Sequence, residues 1–132
     1  MAPDAEVQSI FDQFKEAHKR LKEALNIKEE SDIKRDAVIK RFEFTFELLW
    51  KTFKRIARSE KLDCFSPKSC LQVAFKLGLI EDKELFLELI DARNKTTNVY
   101  SEEDAKEIYK FIKEKAEGAF VEAEKKIGQR VN

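Results

Sequence analysis

The stretch from Arg93 to Tyr100 gathers the side chains of this chain best suited to chemistry. Within eight residues it carries a fixed cation (Arg93), two amides (Asn94, Asn98), two hydroxyls (Thr96, Thr97) and a phenol (Tyr100). A guanidinium presents a planar fork that matches phosphate or carboxylate oxygens, and an amide can hydrogen-bond to a base, a ribose or a phosphate. Arg93 and Asn98 are five positions apart, slightly more than one helical turn, so they can face a shared site if the local backbone helps. Arg93 and Lys95 also form a small basic island in an acidic surrounding, a placement suited to an anion such as a phosphate. The competing explanation is capping, because Asn and Thr at a helix end commonly do no more than satisfy the turn.

Elsewhere reactive groups are sparse. His18 is the only histidine, which excludes mechanisms that need two. With no carboxylate or cysteine partner in view, it is expected to be an ordinary helix residue. Cys64 and Cys70 supply too few ligands for zinc and are expected to be reduced packing or surface residues. No pair of carboxylates has the strand context of a two-metal phosphoryl-transfer site, so no metal or cofactor of the chain's own is expected.

Helices must position these groups. Gly 3 and Pro 2 in 132 residues amount to about a third of ordinary usage, which starves a sheet of turns. Val7, Ile10, Phe11, Phe14, Leu21 and Leu25 recur at steps of three and four and predict an amphipathic helix over about 4–26. Ser31 is the expected N-cap of a second helix reaching about Lys61, since no Gly or Pro intervenes before Pro67. In it, Phe42, Phe44, Phe46, Leu48, Leu49, Trp50 and Phe53 surround most of the circumference. Such a helix must be covered on more than one side, either as the centre of a bundle or in part by a second chain.

Ser66 and Pro67 open a short third helix that Gly78 closes, and Asp82 opens a fourth carrying Leu85, Phe86, Leu89 and Ile90. A fraying end or kink is expected after Arg93, where poor helix formers gather. Ser101 caps a last helix over about 102–127. The expected fold is all-α: a single domain over 1–132, an up-down bundle of four main helices plus one short helix.

Lys+Arg 26 against Asp+Glu 26 cancels to a formal charge of +0, which argues against a generic electrostatic nucleic-acid binder. Charge is nonetheless segregated. Ser31 to Lys61 holds nine Lys/Arg against five Asp/Glu, and Leu79 to Glu107 holds four against nine. Either the oppositely charged helices lie side by side, or one face awaits a partner. The longest uncharged stretch is seven residues, Ser69 to Phe75, far below the roughly 20 of a membrane span. Met1 to Asp4 shows no signal-peptide pattern, so the expected location is cytoplasmic.

Several stretches taken together resemble a known family. The run from Arg41 to Lys51, then Ser66 and Pro67, Ala74 and Phe75, Gly78 to Ile80, Arg93 and Asn94, and Tyr100 are similar to the nucleotidyltransferase substrate-binding proteins, the HepT-like branch of the HEPN superfamily. The resemblance covers roughly residues 36–110. It implies a helical bundle that forms a homodimer, and a minimal nucleotidyltransferase encoded nearby as partner, with magnesium on that partner.

The family's signature is Arg, four residues, His, one residue, Tyr. Arg93 and Tyr100 fill the outer places, and Asn98 stands where the His belongs. The resemblance implies that active members join the Arg and His of two protomers in one cleft to cut RNA. Imidazole can exchange a proton near neutral pH and Asn cannot, so the substitution is expected to keep binding and lose about 10²- to 10⁴-fold of acid–base assistance. The resemblance also makes Tyr100 a candidate acceptor of adenylate from the partner enzyme; packing at the start of the last helix is the alternative.

Three functions follow as expectations. The leading one is a nucleotide- or substrate-binding subunit of a minimal nucleotidyltransferase, presenting Arg93, Asn94, Asn98 and Tyr100. The second is a ribonuclease toxin of a toxin–antitoxin pair, and the third is a purely structural helical dimer.

Overall fold

A computed structural model describes residues 4–99 and 101–131. Among the described residues six helices run in the order α1 (Ala5–Leu25), α2 (Asp32–Ser59), α3 (Pro67–Lys76), α4 (Lys83–Lys95), α5 (Glu102–Phe111) and α6 (Glu117–Val131). A 3₁₀ turn, Thr96–Asn98, follows α4, and a π segment, Ile112–Ala116, joins α5 to α6 in one continuous rod. The last helix therefore extends past the expected end at 127, and the break expected after Arg93 falls where α4 ends at Lys95 and gives way to the 3₁₀ turn. Among the described residues there is no strand, and no helix is long and apolar enough to cross a membrane.

The helix starts follow from their caps. Ser31 Oγ accepts from the Lys34 N–H at 3.1 Å, Asp82 Oδ1 from Leu85 at 3.0 Å, and Ser101 Oγ from Asp104 at 3.1 Å. Ser66 and Ser69 form a reciprocal capping box with Pro67 at the first turn. Each satisfies a backbone donor that the helix leaves unpaired, a contribution of about 1 kcal/mol. Two left-handed residues close the other ends, Lys61 at φ 61° and Gly78 at φ 75°. At Gly78 the absence of a Cβ makes that conformation inexpensive.

The α2 helix is central, packing against α1, α3, α4, α5 and the π segment. Its buried face carries Val38, Phe42, Phe46, Leu49, Phe53 and Ile56. Phe42 meets Phe120 of α6 at 5.9 Å between ring centroids, and Phe120 meets Phe14 of α1 edge-on at 6.1 Å. Three helices thus share one aromatic knot. Ile108, Ile112, Ala116 and Phe120 are all buried at steps of four, which in an unbroken α-helix would drift by about 40° per step. The wider π turn takes up that drift and keeps the row facing α2.

Two expectations are corrected. Cys64 and Cys70 are not free thiols: they are joined in a disulfide with Cα atoms 5.0 Å apart, because the cap at Ser66 folds the chain back and brings them together. His18 is not an ordinary helix residue. It is fully buried against Phe14 and Phe120, and its carboxylate partners lie about a hundred positions on, in α6. A carboxylate only accepts, so the neutral ring donates from Nε2 to Glu117 Oε1 at 3.0 Å. Nδ1 stands 3.8 Å from Glu124 Oε1.

Burial pushes the His18 imidazole below its ordinary pKa, and repulsion from Lys22 adds to this, against the upward pull of the Glu117 hydrogen bond and the two carboxylates. A depressed folded pKa means that the unfolded chain takes up the proton first. Stability is then fully present above about pH 6.5 and falls as pH drops through that value. Calorimetry from about pH 7.5 to 5.5 is expected to show this decline in the wild type and a flatter profile in His18→Gln, which keeps a donor for Glu117 and does not titrate.

Candidate functional site

The site is built where α4 ends. Thr96 Oγ1 donates back to the Arg93 carbonyl at 2.7 Å and Thr97 Oγ1 to that of Asn94 at 2.8 Å. Both hydroxyls are therefore engaged in closing the helix rather than offered to a ligand, as the capping explanation requires of them. Asn94 and Asn98, four positions apart across the helix end, both line an open hollow between α4 and α5. Ala92, Ile108 and Phe111 supply its apolar part, Glu88, Asp91, Asp104 and Glu107 its acidic part, and Lys95 its one cation. At about 560 Å³ it has the size of a small-molecule site.

Arg93 does not line that hollow. Its guanidinium reaches α2, where Nε lies 3.4 Å from Glu47 Oε1, while the other carboxylate oxygen of Glu47 accepts from the Trp50 indole N–H at 3.2 Å. Lys95, the other half of the basic island, pairs with Asp91 at 3.1 Å. Both cations are thus balanced by carboxylates within one protomer. In the sequence Glu47 is one polar residue in a long helix, since a contact between α2 and α4 has no local signal. Tyr100 lies outside the described residues.

Chemically, the hollow offers amides that can donate or accept and carboxylates that accept, a set matched to the amino and hydroxyl groups of a nucleoside. Arg93, 24% exposed at its side chain, is the adjacent group suited to an anion. Among the described residues no cluster of three or more His, Cys, Asp or Glu is placed to hold a metal ion.

Residues 9–130 match the family described as nucleotidyltransferase substrate binding protein like. This chain belongs to that family. Among its relatives, a probable ribonuclease HepT of Haemophilus influenzae is 32% identical over 79 residues, 56% of this chain and 54% of the relative. The match therefore spans about half the length of that curated protein. A Thermus thermophilus protein of known structure is 30% identical, covering 90% of this chain and 98% of its own, with a TM-score of 0.75.

Two further solved structures share the fold. One is a tri-AMPylated Shewanella oneidensis HEPN toxin in complex with MNT antitoxin, 14% identical, covering 96% and 98% of the two chains, with a TM-score of 0.77. The other, from Haemophilus influenzae, is described as the fold of a substrate binding domain of a nucleotidyltransferase. It is 22% identical, covers 93% and 97%, and has a TM-score of 0.69. The HepT-like resemblance and the all-α bundle are thereby both established for this member of the substrate-binding family.

Glu47 links Arg93 to Trp50, so removing it has a readable consequence. Glu47→Ala is expected to release the indole N–H to water, shifting Trp50 emission to the red, and to destabilise the fold by about 1 kcal/mol. A scan of emission and melting should find both changes, with a fall of about 3 to 5 °C in Tm.

Proposed function

We propose that this chain is the substrate-binding partner of a minimal nucleotidyltransferase, acting as a homodimer whose Arg93, Asn94, Asn98 and Tyr100 hold a nucleotide or RNA. The family match across residues 9–130 carries this proposal, and the hollow lined by Asn94 and Asn98 beside Arg93 is where it is centred. The relatives described as a nucleotidyltransferase substrate-binding domain and as a toxin bound to an MNT antitoxin support a nucleotidyltransferase as partner. Magnesium belongs to that partner in this scheme, and Tyr100 is its candidate adenylate acceptor.

Asn98 decides how much cleavage chemistry remains. An amide holds a ligand by hydrogen bonds and does not titrate near neutral pH, so binding persists and proton transfer is lost. The name of the HepT relative favours a second function, an RNA-cleaving toxin that uses Arg93 with a substitute for the missing histidine. Labelled RNA incubated without a partner separates the two. Wild type is expected to cut no more than background, Asn98→His to raise cutting, and Arg93→Ala to weaken mononucleotide binding by about 1.5 to 3 kcal/mol. Robust cutting by wild type that Arg93→Ala abolishes would establish the toxin in place of the binding subunit.

The homodimer is supported by the apolar surface that α2 leaves uncovered. Phe44 is 58% exposed, Leu48 is half-buried, and both border a groove with Ala17 and Ala37 between α1 and α2. Burial against a twofold mate covers such a strip on both copies at once. Light scattering at micromolar concentration should report about twice the 15.5 kDa of the chain; a clean monomer mass excludes the dimer.

A further inference from the structure

A second surface of α2, beyond the Arg93 contact, combines exposed aromatic rings with a local excess of cations. Phe65 is 79% exposed, yet its backbone is firmly held. Its N–H donates to Ser69 Oγ at 3.1 Å, the capping box begins at the next residue, and the Cys64–Cys70 disulfide closes the turn around it. Trp50 is half-buried, with its indole N–H fixed on Glu47. Lys54 Nζ stands 6.0 Å from the Trp50 ring centroid and 5.9 Å from that of Phe65, so one ammonium group spans both rings and they lie within about 12 Å of each other.

Charge supplies the independent observation. From Trp50 to Ser69 there are six Lys/Arg against two Asp/Glu, although the whole chain is neutral. Arg55 is engaged by Glu6, Lys51 by Glu47 and Glu60 by Arg130, which still leaves Lys54, Arg58, Lys61 and Lys68 against Asp63. Lys51, Lys54 and Arg58 recur at steps of three and four and so lie along one side of α2, beside the rings.

We propose that Trp50, Lys54 and Phe65 form a stacking platform for a single-stranded nucleic acid. Aromatic faces interleaved with cations meet the two needs of such a ligand, stacking of its bases and neutralisation of its phosphates. A duplex cannot offer its base faces in this way, since they are already stacked. A protein partner is the less suitable occupant, because Lys is depleted from the cores of protein interfaces, whereas here a lysine sits between the two rings. The platform is separate from the hollow of Asn94 and Asn98 and does not depend on what that hollow binds.

Trp50 is the only tryptophan, so its fluorescence reports changes at the platform and at the Glu47 link to Arg93, and Phe65→Ala separates the two. Titration with oligo(U) and oligo(dT) of about 12 nucleotides is expected to quench the emission saturably at about 50 mM salt, and more weakly at about 200 mM. A duplex of equal length should leave it unchanged. Phe65→Ala is expected to weaken binding at least about fivefold, and Lys54→Ala to lower the salt slope by about one. Phe65→Leu keeps the apolar bulk without the ring, and an unchanged melting point in these variants keeps the comparison free of misfolding.

The proposal is overturned if no saturable quenching occurs, if the duplex quenches equally, or if all variants bind like wild type. It is also overturned if Phe65→Ala releases a co-expressed nucleotidyltransferase while leaving oligonucleotide binding intact, because the surface is then a protein interface.

Discussion

The α2 helix is apolar around more of its circumference than any one neighbour can cover, and the rest of the molecule is arranged about that fact. A single stripe can be satisfied by one partner helix; here Val38, Phe42, Phe46, Leu49, Phe53 and Ile56 are buried by helices from both ends of the chain. Phe42, Phe14 and Phe120 tie the first, second and last helices into one knot, so residues far apart in sequence are held as one core. Where the cover runs out, apolar side chains reach solvent. Phe44, Leu48 and Trp50 are among those places on α2, and each of the three borders a surface with a candidate role.

The helices were legible because their signals are local. A Ser or Asp at the start, long runs without Gly or Pro and a glycine at the end of α3 each act within a few residues, and each produced the element it announced. The π segment has only a faint trace in the steps of four from Ile108 to Phe120, each of which drifts by about 40° on a straight α-helix. What the sequence hid are contacts made by turns or across the bundle. Cys64 and Cys70 look unpaired until the cap at Ser66 bends the chain. His18 looks partnerless because Glu117 and Glu124 approach it only once α1 and α6 pack together. Arg93 and Asn98 look like a pair because a spacing of five only slightly exceeds a turn, but the 3₁₀ turn and the pull of Glu47 send Arg93 toward α2 while Asn98 turns to the hollow.

That divergence changes what the candidate site asks of a ligand. Within one protomer a phosphate at Arg93 competes with Glu47, and a phosphate in the hollow meets four carboxylates, Glu88, Asp91, Asp104 and Glu107, against the single cation Lys95, itself paired with Asp91. Like charges at a few ångströms are unfavourable even when screened. A nucleoside moiety is the better occupant of the hollow, since its amino and hydroxyl donors face carboxylate and amide acceptors. The phosphate end is then best placed outside it, at the guanidinium.

Segregated charge lets a neutral chain present surfaces of opposite sign. Acidic side chains collect along α4 and the start of α5, and basic ones along α2, and Arg35 of α2 pairs with Glu102 of α5 across the two groups. Exposed pairs of this kind add little to stability, about 0 to 1 kcal/mol each, so packing holds the bundle and leaves the charge pattern comparatively open to other demands. The net charge of zero sums two unlike surfaces. It excludes a molecule basic all over while permitting a strip, from Lys51 to Lys68, that is locally positive and set beside the rings of Trp50 and Phe65. The helix whose excess apolar surface organises the fold is therefore also the one that carries the cations, and on it the demands of packing and of binding meet.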